Sequence, residues 1–178
     1  DLDKFALESH QKAAHATESK YFDREILPVE GRNAEGMNDL VMADEGIRFD
    51  ASFDKLAGLK TVTEGGVITA GNASQFSDGA SACVLMESNV AAKHNVTPLG
   101  IYRGIAVAGC EPDEMGIGPV YAVPKLLKQN GLKMSDIGLW ELNEAFAVQV
   151  IYCRDVLDIP NELLNVNGGS ISVGHPYG

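Results

Sequence analysis

One stretch of this chain is apolar on nearly every face of a helix. Residues 145–153 read Ala-Phe-Ala-Val-Gln-Val-Ile-Tyr-Cys, inside a helix that is predicted from Asn143 to about Leu157. A helix at a protein surface is apolar along one stripe only, so this one is expected to be buried on most of its faces. A helix sandwiched between two sheets would satisfy the pattern, which favours a layered fold.

Short apolar runs alternate with helical segments in the part of the chain after residue 65. The runs are bounded by turn residues and are predicted to be buried strands, at residues 80–86, 99–108 and 137–142. Further helices are predicted at residues 3–20, 88–94 and 119–130. Asp3 and Ser88 are the predicted N-caps of the first two. The alternation of strand and helix predicts an α/β fold.

Residues 30–60 are polar and rich in glycine. They are predicted to be irregular apart from a short helix at residues 53–59. A long irregular stretch in a compact domain usually has a function or covers a site.

The chain is acidic, with a formal net charge of −11 in 178 residues and a pI near 4.7. Nucleic acids are bound by clustered Lys and Arg, so a nucleic-acid partner is disfavoured. No run of about 18 apolar residues is present, so no membrane span is expected. Cys83, Cys110 and Cys153 lack the spacing of metal ligands. They are expected to be buried, reduced thiols of an intracellular protein that holds no metal.

Asn143 and His175 are the two candidate catalytic residues. Asn143 stands where a predicted strand meets a predicted helix. It is either an N-cap or a carboxamide that points into a site at the positive end of the helix. His175 lies between Gly174 and Pro176 in a constrained loop, and it is either structural or a general base, since the pKa of free histidine is near neutrality. The helix dipole explains Glu144 in either case.

Two further runs are ambiguous in the same way. Residues 71–74, Gly-Asn-Ala-Ser, are either an ordinary turn or a loop that brings backbone amides to an extended ligand. Met115, in a Gly-rich loop, either fills the core or lines an acyl pocket. Neither the P-loop pattern nor G-x-G-x-x-G at a helix start is present, which disfavours both kinds of nucleotide phosphate loop.

Seven runs together resemble segments of the thiolase family, in the family's order. They are Leu7–His10, Glu25–Val29, Thr69–Ser74, Asp78–Ala80, Met115–Pro119, Asn143–Ala147 and Asn165–Gly178. The resemblance covers essentially the whole chain, and its last two runs are the specific ones. It implies the thiolase fold, a layered αβαβα arrangement, with only part of it present. Residues 1–76 would be part of the loop domain that covers CoA, 77–98 the end of the N-terminal domain, and 99–178 the first part of the C-terminal domain.

The resemblance also implies the chemistry. Thiolases cleave 3-ketoacyl-CoA with free CoA, or run the reverse Claisen condensation, through an acyl-enzyme on a nucleophilic Cys. By resemblance, His175 accepts the Cys proton and helps to hold the thioester oxygen, while Asn143 positions a water in the same oxyanion hole. CoA is a substrate here and no permanently bound cofactor is expected. The residues implied in contacts with CoA are Ser74, Ala73, Arg48, Met115 and Phe146.

The cysteines depart from the family pattern. None of the three matches the nucleophile or the second Cys that moves the α-proton, so the chain is expected to be an internal fragment that is inactive alone. One alternative is a non-catalytic thiolase-like protein that binds acyl-CoA or lipid, and another is a ketoacyl synthase of the same fold. The expected partners are acyl-CoA, CoA and copies of the chain in a homodimer or homotetramer. The expected location is cytoplasmic, or mitochondrial or peroxisomal in a eukaryote.

Overall fold

The computed structural model describes residues 1–33 and 35–177 of the chain. The helices and strands are α1 (Leu2–Glu18), β1 (Val29–Arg32), β2 (Asn38–Val41), α2 (Phe53–Ala57), α3 (Ser88–Lys93), α4 (Gly118–Asn130), α5 (Ala147–Leu157) and α6 (Ser170–Val173). Short 3₁₀ turns lie at Pro112–Ile117, Met134–Asp136 and Asn161–Leu163. Helix α1 packs against α2, α5 and α6, and the core lies between them.

Helix α1 buries the face that its sequence pattern predicts. The buried apolar residues at this face are Phe5, Ala6, Ala13 and Ala16. Two polar residues, Ser9 and His10, are buried with them. The predicted cap is wrong, because Asp1 holds the N-cap position and the Asp3 carboxylate accepts a hydrogen bond from Asn72 Nδ2 at 2.9 Å.

Helix α5 begins at Ala147, four residues later than predicted, and Phe146 holds its N-cap position. Asn143 is therefore not the N-cap. The helix is buried along one side only, at Ala147, Val150, Cys153 and Leu157. Val148 and Tyr152 on the other side are exposed. The expectation of burial on most faces is wrong for the described residues, because no element among them covers this side.

The predicted strands at 80–86, 99–108 and 137–142 form no strand ladder with any other described segment. Most apolar side chains of the first two runs are open to solvent, and Leu99 is fully exposed. In the third run Trp140 and Leu142 are half-buried and pack against the core. An apolar pattern reports a tendency to be buried, whereas a strand also needs a partner for its backbone groups. Residue Trp140 makes a single bridge with Leu164.

Helices α2, α3 and α4 agree more closely with the sequence. Helix α4 runs over the predicted range, and its C-cap Gly131 lies in the left-handed region with a φ of 65°. Helix α3 is also present, but its N-cap is Glu87, whose carboxylate accepts from the Val90 N–H at 3.2 Å, and not Ser88. Helix α2 lies within the predicted segment at residues 53–59.

A β-hairpin lies in the segment that was predicted to be irregular. Strands β1 and β2 pair antiparallel, with Val29 opposite Val41. The Asn33 carboxamide accepts from the N–H of Glu35 at 3.1 Å, and Gly36 takes a positive φ of 77° in the turn. The strands carry polar residues on both faces, so the alternation that marks a half-buried strand is missing.

The three cysteines are free and differ in exposure. Cys153 is buried as expected, Cys110 is half-buried and Cys83 is exposed. The expectation of burial is therefore wrong for Cys83. Of the helices in the described part of the chain, none has the length and apolar character needed to cross a membrane.

Candidate functional site

Two of the candidate loops are joined to each other through their backbones. The N–H of Ser74 donates to the carbonyl of Ala145 at 2.9 Å, and Ala73 forms an antiparallel bridge with Phe146. The structure therefore brings Phe146 to Ala73 and Ser74, although Phe146 is more than seventy residues from them in the chain. This bridge holds residues 143–146, the Asn143 loop, against the Gly71–Ser74 loop.

Asn72 is the anchor of the Gly71–Ser74 loop. Its side chain is 2% exposed, accepts from the Thr69 N–H at 2.9 Å and donates to the Asp3 carboxylate at 2.9 Å. Its backbone carbonyl accepts from the Ala147 N–H at 2.9 Å. A single carboxamide thus shapes the loop and ties it to α1, while the adjoining peptide ties it to α5.

Gln75 joins the loop to the segment that carries His175. Its Nε2 donates to the carbonyl of Gly46 at 2.8 Å and to that of Ile171 at 3.1 Å. Its own carbonyl accepts from the backbone N–H of His175 at 3.0 Å. Gly174 has a φ of 101°, and a Cβ there would overlap Ser77, so the residue before His175 has to be glycine.

Asn143 and His175 lie in contact. The Asn143 Nδ2 is 3.2 Å from Nε2 of His175, and the ring of His175 rests against that of Tyr177 with centroids 4.8 Å apart. A carboxamide nitrogen only donates, so this contact is a hydrogen bond when Nε2 carries no proton. Asn143 is exposed and His175 is half-buried. The pair therefore offers a proton acceptor and an amide donor at an accessible surface.

A cavity of about 200 Å³ lies beside these loops. It is lined by His10, Arg48, Leu56, Leu59, Ala70, Gly71, Gln75 and Ile171. The N–H of Arg48 donates to Nδ1 of His10 at 3.1 Å. Burial of the ring, and secondarily the Arg48 charge, lower the pKa of His10 from its ordinary value. Arg48 thus lies in the cavity wall, next to the Gly71–Ser74 loop.

Met115 is not brought to this cavity. It lies in the 3₁₀ turn Pro112–Ile117, which packs against α4 and α5, and its side chain is 77% exposed. Phe146 is outside the cavity lining as well and is 38% exposed. Of the five residues implied in CoA contacts, only Arg48 lines the cavity, with Ala73 and Ser74 in the adjoining loop.

His10 and Glu144 are part of this region but were not among the candidate site residues. His10 lies on the buried face of α1. A histidine on the apolar face of a predicted helix is the sequence signal that could have marked it as a site residue. Glu144 is 1% exposed and precedes α5, so it does not lie in the first turn of the helix. The prediction that the helix dipole explains this residue is therefore wrong. Its hydrogen-bond partners lie on distant parts of the chain, and no local pattern marks them.

Two family profiles match the chain. The profile described as "Thiolase, N-terminal domain" matches residues 1–89 and that described as "Thiolase, C-terminal domain" matches residues 96–178. The peroxisomal 3-ketoacyl-CoA thiolase 1 of Arabidopsis thaliana is 44% identical over 184 residues, which cover 100% of this chain and 42% of that protein. The 3-ketoacyl-CoA thiolase of Aliivibrio fischeri is 47% identical over 181 residues, with 99% and 47% covered.

Solved structures have the same fold. The acetyl-CoA acetyltransferase of Bacillus anthracis superposes with a TM-score of 0.94 at 40% identity, covering 98% of this chain and 44% of that one. Human mitochondrial 3-ketoacyl-CoA thiolase gives a TM-score of 0.88 at 39% identity, with 99% and 44% covered. The chain thus spans less than half the length of these relatives, and the expected thiolase fold, present in part, is confirmed. The chain belongs to the thiolase family.

Proposed function

We propose that the protein containing this chain is an acyl-CoA acyltransferase. It would cleave 3-ketoacyl-CoA with free CoA, or run the reverse Claisen condensation. The observation that carries the proposal is the 3.2 Å contact between Asn143 Nδ2 and His175 Nε2. Relatives with 44% and 47% identity are named 3-ketoacyl-CoA thiolases, which supports the same reaction here.

In this reaction His175 is the base for a nucleophilic Cys. The thiol proton moves to His175, the thiolate attacks the 3-keto carbonyl, and the bond between C2 and C3 breaks with release of the enolate of acetyl-CoA. That enolate would take its proton from the second Cys of the family. The thiol of CoA would return a proton to that Cys as its sulfur attacks the acyl-enzyme; acyl-CoA leaves, and the released Cys thiolate regains its proton from His175. Negative charge develops on the carbonyl oxygen, where the His175 ring N–H and a water held by Asn143 would stabilise it.

The nucleophile is proposed to lie outside these 178 residues. The Cys153 thiol is buried, which raises its pKa, and it donates to the carbonyl of Gly116 at 3.5 Å. The Cys110 thiol donates to the carbonyl of Glu114 at 3.6 Å. No cysteine hydrogen-bonds His175 in the described part of the chain, so the 178 residues alone are proposed to be inactive.

The cavity is proposed to hold CoA against Arg48. Its guanidinium would pair with phosphate or stack on adenine, since Arg suits both kinds of contact. Ser74 would contact the pantetheine, with Ala73 beside it. Met115 and Phe146 would line the pantetheine and acyl region. Residues 1–76 are proposed to cover CoA, and residues 77–98 and 99–178 are proposed to belong to the two layered domains.

The assembly is proposed to be a homodimer or homotetramer. Its location is proposed to be the cytoplasm or, in a eukaryote, mitochondria or peroxisomes.

The test is the conversion of acetoacetyl-CoA by the full-length protein that carries this sequence. With free CoA added, the expected product is two molecules of acetyl-CoA for each acetoacetyl-CoA consumed, measured by chromatography and mass spectrometry. The 178-residue chain is expected to give none. CoA binding by the full-length protein without any acetyl-CoA would refute the proposal and indicate a non-catalytic acyl-CoA binder.

A further inference from the structure

Glu144, the neighbour of Asn143, is a carboxylate buried without a cation. It is 1% exposed, and the ion pairs of the described residues are Lys55 with Asp50 and Arg154 with Asp155. A carboxylate removed from water is costly unless other groups compensate its charge. The burial of this carboxylate beside a candidate catalytic residue therefore needs an explanation.

Three hydrogen-bond donors converge on this carboxylate. Ser9 Oγ donates at 2.7 Å from α1, and the backbone N–H of Ile171 donates at 3.2 Å from α6. Asn165 Nδ2 donates at 2.8 Å from the segment between α5 and α6. The carboxylate thus joins three parts of the chain at one point, and Ile171 lies only four residues before His175.

The surroundings allow little change in this arrangement. The Asn165 carboxamide accepts from the N–H of Leu142 at 2.8 Å and donates to its carbonyl at 2.8 Å, which sets the orientation of the amide. A Cβ on Gly169 would overlap the carboxyl group of Glu144. The residues on both sides of Asn143 are therefore held, Leu142 by Asn165 and Glu144 by all three donors.

We propose that Glu144 is a positioning residue, whose buried carboxylate holds Asn143 within hydrogen-bonding distance of His175. Asn143 itself is exposed, and its described side-chain hydrogen bond is the one to His175. Its place is therefore set through the backbone by its neighbours. Glu144 fixes the Asn143 loop and, through Ile171, the start of the segment that ends at His175. The expected loss of kcat rests on the proposed function. The expected change in the distance between Asn143 and His175 does not.

The test is Glu144→Gln, which keeps the shape and removes one acceptor. In either orientation the new NH₂ group faces a donor, because Asn165 Nδ2 lies on one side and Ser9 with Ile171 N–H on the other. In the full-length protein we expect kcat for thiolysis to fall by about 10- to 100-fold, with the KM for CoA nearly unchanged.

A double-mutant cycle separates positioning from a merely structural role. In an Asn143→Ala background, Glu144→Gln is expected to lower kcat by a much smaller factor than in the parent, because there is no carboxamide left to position. The same loss in both backgrounds would overturn the proposal. If Glu144→Gln does not fold, Ser9→Ala replaces it in the cycle, since that change removes one donor and leaves the carboxylate in place.

Crystal structures of the parent and the Glu144→Gln variant give a readout without turnover. The distance from Asn143 Nδ2 to His175 Nε2 is expected to lengthen beyond the hydrogen-bonding range from 3.2 Å in the parent. An unchanged distance would overturn the proposal even if kcat fell. A lengthened distance in a protein without thiolysis activity would support positioning by Glu144 and refute only the proposed function.

Discussion

The side-chain amide of Asn143 lies 3.2 Å from Nε2 of His175, although the two residues are 32 positions apart in the chain. Neither residue is placed by its own secondary structure, since Asn143 precedes α5 and His175 follows α6. Their contact depends on bonds between loops, above all those that Gln75 makes to His175 and to Ile171. The proposed catalytic pair is thus brought together by long-range hydrogen bonds.

Asn143→Ala is expected to damage catalysis and leave the fold intact. Loss of one oxyanion donor typically lowers kcat by about 10²- to 10³-fold. Because Asn143 is exposed, the free energy of unfolding should change by less than about 0.5 kcal/mol. Thiolysis kinetics and urea denaturation of the full-length protein measure both effects. Asn89→Ala, which removes an exposed carboxamide bonded to Glu87 at 2.8 Å, is the matched control and should leave kcat unchanged.

Arg48→Ala is expected to weaken CoA binding. Arg48 lines the cavity, and a hydrogen bond to a charged group contributes about 1.5–3 kcal/mol, so the KM for CoA should rise by about tenfold or more at unchanged kcat. The effect should shrink with added salt, which screens charge pairs. Arg103→Ala, at an exposed position, is the control. An unchanged KM in Arg48→Ala would exclude this cavity as the CoA site.

The buried ring of His10 makes the stability of the protein depend on pH. Burial and the Arg48 charge lower the pKa of His10 in the folded state below its ordinary value of 6.5. The unfolded chain therefore takes up the proton first as the pH falls. The stabilisation is complete above about pH 6.5 and is lost as the pH drops through the folded-state pKa.

Urea unfolding midpoints at about pH 7.5 and about pH 5.5 measure this effect. The parent should lose more stability on acidification than His10→Asn, which cannot titrate there, and His94→Asn at an exposed position should behave like the parent. Burial raises the pKa of Asp44, an effect of opposite sign that cancels when the variants are compared. Equal losses in the parent and His10→Asn would contradict the assignment.

Gly169→Ala is expected to destabilise the protein through packing alone. Its φ of −150° is open to alanine, but the added Cβ would overlap the carboxyl group of Glu144. Overpacking that forces backbone and buried groups to move typically costs about 1–3 kcal/mol. Gly138→Ala, where no atom lies within 4 Å, is the control and should be nearly neutral. A neutral Gly169→Ala in urea denaturation would mean that the Glu144 network relaxes easily.

Local patterns predicted those parts of the fold that short stretches of sequence decide. The buried face of α1 follows from its helical period at Phe5, Ala6 and Ala13, and the end of α4 follows from Gly131. Such features need only neighbouring residues to be recognised. The runs around Asn143 and His175 were each ambiguous by themselves, and only the resemblance to the thiolase family implied that they share a site.

Features that depend on distant partners escaped prediction. The apolar run at residues 99–108 looks like a strand, but pairing requires a second segment that the pattern does not contain. The hairpin at Val29 and Val41 has no alternation to mark it. The burial of Glu144 depends on Ser9, which is 135 positions away, so its role follows only from the three-dimensional arrangement.

The most direct test of the account is the rate of CoA-dependent cleavage of acetoacetyl-CoA by the full-length protein with His175→Ala. If His175 is the base for the nucleophilic thiol, kcat should fall by about 10²- to 10⁴-fold, while His94→Ala, at an exposed position, retains the parent rate. A His175→Ala variant that cleaves acetoacetyl-CoA at the parent rate would contradict the central claim that Asn143 and His175 form the catalytic pair.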